Sequence, residues 1–130
     1  MFLAACDDPQ ARKAEEARQQ LVGTWLRESE VDGTRTRRVL VLGEDGKFSE
    51  FLAAELPGGR MTRNERSGEW AFDGTNLKRR YTREDGRQIT NNFAFVTFEI
   101  TALAPREFDG KNNIQGERIH YVRVPPGTMP

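Results

Sequence analysis

Five polar side chains stand at strand positions that are expected to face inward, and they are the residues of this chain best suited to bind a ligand: Glu50, Asn64, Arg66, Arg79 and Tyr81. Each alternates with apolar neighbours, and successive side chains of a strand point to opposite faces. Buried charges must be paired. One interpretation is therefore a polar cavity mouth that holds an anionic or amphipathic small ligand. The other is a set of internal ion pairs, Glu50 with an arginine, or long side chains that reach out to the rim.

Groups that perform catalysis are scarce. The chain has one histidine, His120, and one cysteine, so a zinc site built from these residue types is not expected. None of the three serines lies in a Gly-x-Ser-x-Gly turn. The Gly58-Gly59 pair follows a proline and precedes no helical pattern, unlike a phosphate-binding loop. We therefore expect no enzyme activity, no cofactor and no metal.

Charge and hydropathy further narrow the classes of function that the chain could have. The 130 residues contain 20 Lys and Arg against 20 Asp and Glu, so no basic field is present to attract nucleic acid. No run of about 20 apolar residues could form a membrane-spanning helix. One cysteine excludes an intramolecular disulfide, but the length suffices for a single domain with its own core.

The elements that must position these side chains are strands. Asp-Gly and Gly-Gly pairs, which supply the positive φ of hairpin turns, separate eight segments of β-forming residues at about 22–31, 35–43, 47–56, 60–72, 76–83, 87–101, 106–112 and 116–124. No connection is long enough for a crossover between parallel strands. The sequence predicts an all-β fold, a small eight-stranded up-and-down antiparallel barrel with a short N-terminal helix.

The N-terminal helix is predicted over residues 9–21. Asp8 can act as its N-cap, and Pro9 takes the first helical position. Its apolar face is thin, so the helix is interpreted as a solvated spacer or as a lid on the barrel mouth. The expected organisation is a signal remnant with lipobox (1–8), the helix (9–21), the barrel (22–125) and a C-terminal tail (126–130).

The sixth predicted strand contains the run Phe93–Ile100, whose middle is apolar on both faces. We expect the outer face of this run to be covered, either by the N-terminal helix or by a partner, because an uncovered apolar strand invites aggregation.

The single cysteine lies in a run that resembles a bacterial lipobox. Leu3-Ala4-Ala5 precede Cys6, and Asp7 follows it. The resemblance implies a chain that begins at Cys6 after cleavage, with acyl chains on that residue, and a protein anchored in the bacterial cell envelope and facing the periplasm. An aspartate directly after the cysteine is similar to an inner-membrane retention signal. The alternative is a free buried cysteine near an unprocessed N-terminus; only five residues precede Cys6, fewer than a full signal peptide needs.

The β region resembles bacterial lipocalin-like domains over about residues 21–124. Gly23-Thr24-Trp25 opens the first strand and His120-Tyr121-Val122-Arg123 closes the last. The resemblance implies that Arg123 packs across Trp25 and that Gly23, Trp25 and Arg123 close the barrel. The long first loop, the disulfide and the C-terminal helix of larger lipocalins are not part of the pattern.

Together these patterns favour a lipid-anchored, non-enzymatic lipocalin-like protein of the envelope. Its barrel mouth is expected to bind a small or lipophilic molecule. The alternative is an interaction or assembly lipoprotein that uses a filled barrel as a scaffold for an envelope protein partner. A packed interior without a cavity would favour this alternative.

Overall fold

A computed structural model describes residues 8–90, 94–112 and 116–130 of the chain. Its elements within these ranges are the helix α1 (Pro9–Leu21) and the strands β1 (Gly23–Val31), β2 (Thr34–Leu42), β3 (Lys47–Glu55), β4 (Met61–Phe72), β5 (Asn76–Glu84), β6 (Arg87–Gln88), β7 (Phe95–Leu103), β8 (Glu107–Asn112) and β9 (Arg118–Arg123).

Eight of the strands form a closed antiparallel barrel. The order around the ring is β1, β2, β3, β4, β5, β7, β8 and β9, and β9 pairs again with β1. The two-residue β6 pairs with β5 alone and stands outside the ring. The predicted up-and-down barrel with a short N-terminal helix is confirmed.

The prediction of one continuous strand over residues 87–101 is wrong. Asp85 and Gly86 adopt positive φ and form a tight turn, and β6 ends two residues later. The next six residues, 89–94, include three polar ones in succession, Thr90, Asn91 and Asn92, and thus lack the alternation that buries one face of a strand. The apolar pattern resumes in β7, which pairs with the first half of β5.

Local signals set the helix. The Asp8 side chain accepts a hydrogen bond from the Gln10 N–H at 2.9 Å, as expected of an N-cap. Near the helix end, Arg18 donates to the Glu44 carbonyl at 3.0 Å, and its guanidinium lies 4.8 Å from the centre of the Trp70 ring. The helix therefore lies across one end of the barrel. We call this end, which bears the turns at 43–46, 73–75 and 104–106, the closed end.

The expectation that the N-terminal helix covers the outer face of the sixth predicted strand is wrong, because α1 does not lie over β7. The outward-facing Phe95 is 55% exposed. Phe93 lies outside the described residues. The inward positions of β7 are apolar and packed against the core, while the outward positions after Phe95 are Thr97 and Glu99.

The closed half of the barrel is filled with apolar side chains. Large residues from every strand of the ring meet there: Trp25, Leu40, Leu42, Phe48, Trp70, Leu77, Phe98, Phe108 and Tyr121. The stacked rings of Phe108 and Tyr121 and the edge of Trp25 form its centre. Within the described ranges, no helix has the length and hydropathy to cross a membrane.

Candidate functional site in the barrel lumen

The opposite half of the barrel contains a polar cavity. It opens at the end that bears the turns at 32–33 and 56–60, which we call the open end, and its volume is about 400 Å³. Four strands of the ring each contribute one arginine to its lining: Arg27 from β1, Arg38 from β2, Arg66 from β4 and Arg79 from β5. We call this space the lumen cavity.

Glu50 of β3 is the carboxylate at the inner end of this arginine cluster. It is 1% exposed. Its Oε2 accepts a hydrogen bond from Arg79 Nη1 at 2.7 Å, and the Tyr81 hydroxyl lies 3.3 Å from Oε1. Arg66 Nε stands 3.4 Å from Oε1, and Arg38 Nη1 stands 3.9 Å from Oε2. The internal ion pair between Glu50 and an arginine is thus present, and two further arginines join it.

The arginines decide the protonation state of Glu50. Burial opposes its ionisation, but the fields of Arg79, Arg38 and Arg66 outweigh burial and hold the pKa of Glu50 below its ordinary value. Burial raises the pKa of Tyr81 to about 12, so this hydroxyl remains a proton donor at neutral pH. At neutral pH the arginine cluster therefore surrounds an ionised Glu50 that lies beside a neutral Tyr81.

Positive charge exceeds negative charge at this point. Three guanidinium groups share the single buried carboxylate of Glu50, while Arg27 pairs at the rim with Glu117 at 3.0 Å and Arg66 also approaches the exposed Glu84 at 3.7 Å. The Nε atoms of Arg38, Arg66 and Arg79 are buried and have no hydrogen-bond partner within the described part of the chain. Unsatisfied buried donors are costly, and a further acceptor at these N–H groups would offset that cost.

Aromatic rings hold the two inner guanidinium groups in place. The Arg79 guanidinium, 1% exposed, lies 4.6 Å from the centre of the Phe98 ring and 5.6 Å from that of Tyr81. The Arg66 guanidinium lies 5.2 Å from the centre of the Tyr81 ring. Such contacts stabilise a cation by about 0.5–2 kcal/mol, and they fix the direction of its N–H groups.

The structure brings four of the five predicted polar residues together: Glu50, Arg66, Arg79 and Tyr81. Asn64 stands apart, because its amide donates to Asp85 at 2.7 Å beside the turn that follows β5, outside the lining of the lumen cavity. Sequence reasoning missed Arg27 and Arg38. The two-residue period of a strand could have found them. Arg38 shares a face with Leu40 and Leu42, and Arg27 shares a face with Trp25.

A second arginine organises the closed end. The Arg123 guanidinium lies 4.2 Å from the centre of the Trp25 ring. It donates to the carbonyl groups of Val22 at 3.0 Å and Pro105 at 2.8 Å, and also to that of Gln20. At Gly23, which has a positive φ, any side chain would overlap this guanidinium. Arg123 thus joins the end of α1, the start of β1 and the turn before β8.

The remaining candidate residues do not form a site in the described part of the chain. Cys6 and Asp7 lie outside the described residues. The imidazole of His120 stands 2.6 Å from the Asp109 carboxylate, and both side chains are about half exposed on the outer surface. Among the described residues, no three His, Cys, Asp or Glu side chains are grouped so that they could hold a metal ion.

The barrel, with its helix across one end, fits a lipocalin-like fold. No protein-family model matches the chain, and no curated protein matches it significantly. A fold of this kind hosts many functions, so the function has to be inferred from the geometry of the lumen cavity and its arginines.

Proposed function

We propose that this protein binds a small anionic molecule in the lumen cavity and has no catalytic role. The observation that carries the proposal is the shared Glu50: three arginines surround one buried carboxylate, and each keeps an Nε–H without a hydrogen bond. Arginine is well suited to carboxylate, sulfate and phosphate groups, because its planar fork donates two parallel hydrogen bonds. The lining is mainly polar, which favours an anionic group over a purely lipophilic ligand.

Arg38 and Arg66 are the groups that would meet the ligand first. Their side chains are 24% and 29% exposed, whereas that of Arg79 is 1% exposed. An anion entering from the open end reaches Arg38 and Arg66 without displacing Glu50 from Arg79. Glu50 and Arg79 would then act as positioning residues, with Arg38 and Arg66 in contact with the ligand.

The test is a calorimetric titration of inorganic sulfate at low ionic strength. We expect Arg66→Gln to weaken sulfate binding by a factor of about 10–100, because a hydrogen bond to a charged group contributes about 1.5–3 kcal/mol. The matched control is Arg63→Gln on the same strand, since Arg63 is exposed on the outer surface. Equal affinities for wild type, Arg66→Gln and Arg63→Gln would contradict the proposal.

The second candidate function is a scaffold for an envelope protein partner. The packed closed half of the barrel supports it, because that half is filled by aromatic and aliphatic side chains. A scaffold alone leaves the arginine cluster at the open end unexplained. We therefore place ligand binding first and a scaffold second.

We further propose that Cys6 carries a lipid that anchors the protein in the bacterial cell envelope, facing the periplasm, with Asp7 favouring the inner membrane. The support is the lipobox-like run around Cys6. An anchor of this kind needs more than one acyl chain. Expression from the full upstream locus, followed by intact-mass measurement, should give a chain that begins at Cys6 and carries acyl mass. Cys6→Ser should lose that mass; an unmodified wild-type chain that retains residues 1–5 would refute the anchor.

A further inference from the structure

The ring of strands is least continuous between β1 and β9. β1 pairs with β2 through nine residues but with β9 through two, Trp25 opposite Arg123 and Leu26 opposite Val122. Beyond Leu26, towards the open end, β1 has no ladder partner on its β9 side within the described ranges. The two strands therefore separate along residues 27–31 of β1 and 118–121 of β9, and we call this gap the seam.

A groove of about 290 Å³ follows the seam on the outer surface of the barrel. Three residues line both this groove and the lumen cavity: Arg27, Ser29 and Glu117. Arg27 Nη2 donates to Glu117 Oε1 at 3.0 Å. The groove and the cavity are therefore neighbours, separated by one ion pair and the residues beside it.

The two spaces offer different chemistry. The lumen cavity presents guanidinium groups, with Val96 and Phe98 as its apolar contacts. Charged or polar side chains line most of the groove, and its apolar surface comes from Leu26 and Val122, which face each other at the last paired position of β1 and β9; Leu26 is 9% exposed. An anionic group is suited to the cavity, and an apolar chain attached to it is suited to the groove.

Solvent reaches the Arg27–Glu117 pair from its Glu117 side. The Glu117 side chain is 53% exposed and that of Arg27 is 15% exposed. Ion pairs exposed to water contribute little to stability because the solvent screens them. Its opening would join the cavity to the groove without a change in the strand order of the barrel.

We infer that the seam is a second subsite of the same binding site, and that the ligand is an elongated amphipathic anion. Its anionic group binds Arg38 and Arg66 in the lumen cavity, and its apolar chain passes the Arg27–Glu117 pair to lie on Leu26 and Val122. The inference depends on the proposed anion binding, and it adds the class of ligand and the route of its apolar part.

The test compares inorganic sulfate with octyl sulfate, which has the same anionic group and an added apolar chain. Both are titrated into the wild-type chain, and binding is followed by NMR. We expect octyl sulfate to bind at least about tenfold more tightly, with nuclear Overhauser contacts from its methylene groups to the methyl groups of Leu26 and Val122. Contacts to Val96 and Phe98 alone, or equal affinities for the two probes, would overturn the inference and leave the proposed anion binding intact.

A substitution separates the subsites. Val122→Asn should lower the affinity for octyl sulfate towards that for sulfate and leave sulfate binding unchanged. The matched control is Thr97→Asn, an outward position on β7 away from the seam, which should change neither affinity. If Val122→Asn changes the fold, the nuclear Overhauser contacts of octyl sulfate with the wild-type chain still test the inference. Failure of both probes to bind would overturn this inference together with the proposed function.

Discussion

At the scale of single residues, Glu50 sets the chemistry of the lumen. It is the only carboxylate among the described residues within 4 Å of Arg38, Arg66 and Arg79 together. Without it, three buried or half-buried guanidinium groups would repel one another in a medium of low dielectric constant. With it, the cluster is tolerated and still retains excess positive charge. Glu50 therefore stabilises the cluster, and under the proposed anion binding it would also limit the affinity for the anion.

Glu50→Gln should reverse that balance. We expect the free energy of unfolding to fall by about 3 kcal/mol, because the substitution leaves buried arginines without a counter-charge. The affinity for sulfate should rise at least about fivefold, because like charges a few ångströms apart near a protein surface repel by about 1–4 kcal/mol. Chemical denaturation and calorimetry measure the two effects, and a weaker affinity for sulfate would contradict this role of Glu50.

The pH dependence of stability gives a second readout of the same substitution. The pKa of Glu50 is lowered by folding, so its contribution is present above the unfolded-state pKa of about 4.3 and is lost as the pH falls below it. Glu50→Gln should therefore flatten the loss of stability below about pH 4. Asp73, whose pKa is lowered to about 2 by hydrogen bonds from the Asn76 and Thr75 backbone, is the matched control. Asp73→Asn should also flatten the profile but leave sulfate binding unchanged.

At the scale of elements, Arg123 and Trp25 join the helix to the barrel. The Trp25 indole donates to the Leu21 carbonyl at 2.8 Å, and Arg123 binds the neighbouring carbonyl of Val22. The last turn of α1 is therefore fixed to β1 and β9 at the point where the ring closes. This junction lies at the opposite end of the barrel from the lumen cavity.

Trp25→Ala should consequently destabilise the fold by about 3–5 kcal/mol, the usual cost of removing a large buried aromatic side chain. Trp25 is fully buried and contacts Phe108 at 4.8 Å between ring centres. Thermal unfolding measures the effect. Because Trp25 does not line the cavity, the folded variant should bind sulfate as the wild type does. Unchanged melting would show that this contact does not hold the barrel together.

The sequence predicted the elements with strong local signals and failed where pairing at a distance decides. The cap at Asp8-Pro9 placed α1 correctly, and turn residues placed seven strands within two residues of their ends. The sixth strand failed because its two halves pair with different parts of β5. The polar run Thr90-Asn91-Asn92 marks a break in the alternation, but it does not show which part of β5 each half pairs with.

For the candidate site, too, local patterns predicted which residues face inward but not how they meet. Alternation placed Glu50, Arg66 and Arg79 inside, but could not show that they converge, because this depends on the register of β4 with β5. That register shifts at Gly68, where an added Cβ would overlap the Arg80 carbonyl oxygen. The seam is also absent from any local pattern, since it arises from the short pairing between the first and last strands.

At the scale of the whole molecule, the barrel has two halves with different tasks. The closed half is packed with aromatic and aliphatic side chains and supplies stability. The open half contains charged groups around a cavity of about 400 Å³. Because the packed half fixes the strands, it also fixes the backbone positions from which the arginines enter the open half.

Anion binding in the lumen is tested most directly by an NMR titration of the arginine Nε–H groups with sulfate. We expect the Nε–H signals of Arg38 and Arg66 to shift together and saturate, while those of the exposed Arg63 and Arg35 do not move. Saturable binding without a shift at Arg38 and Arg66, or equal shifts at all four residues, would contradict a specific anion site in the lumen.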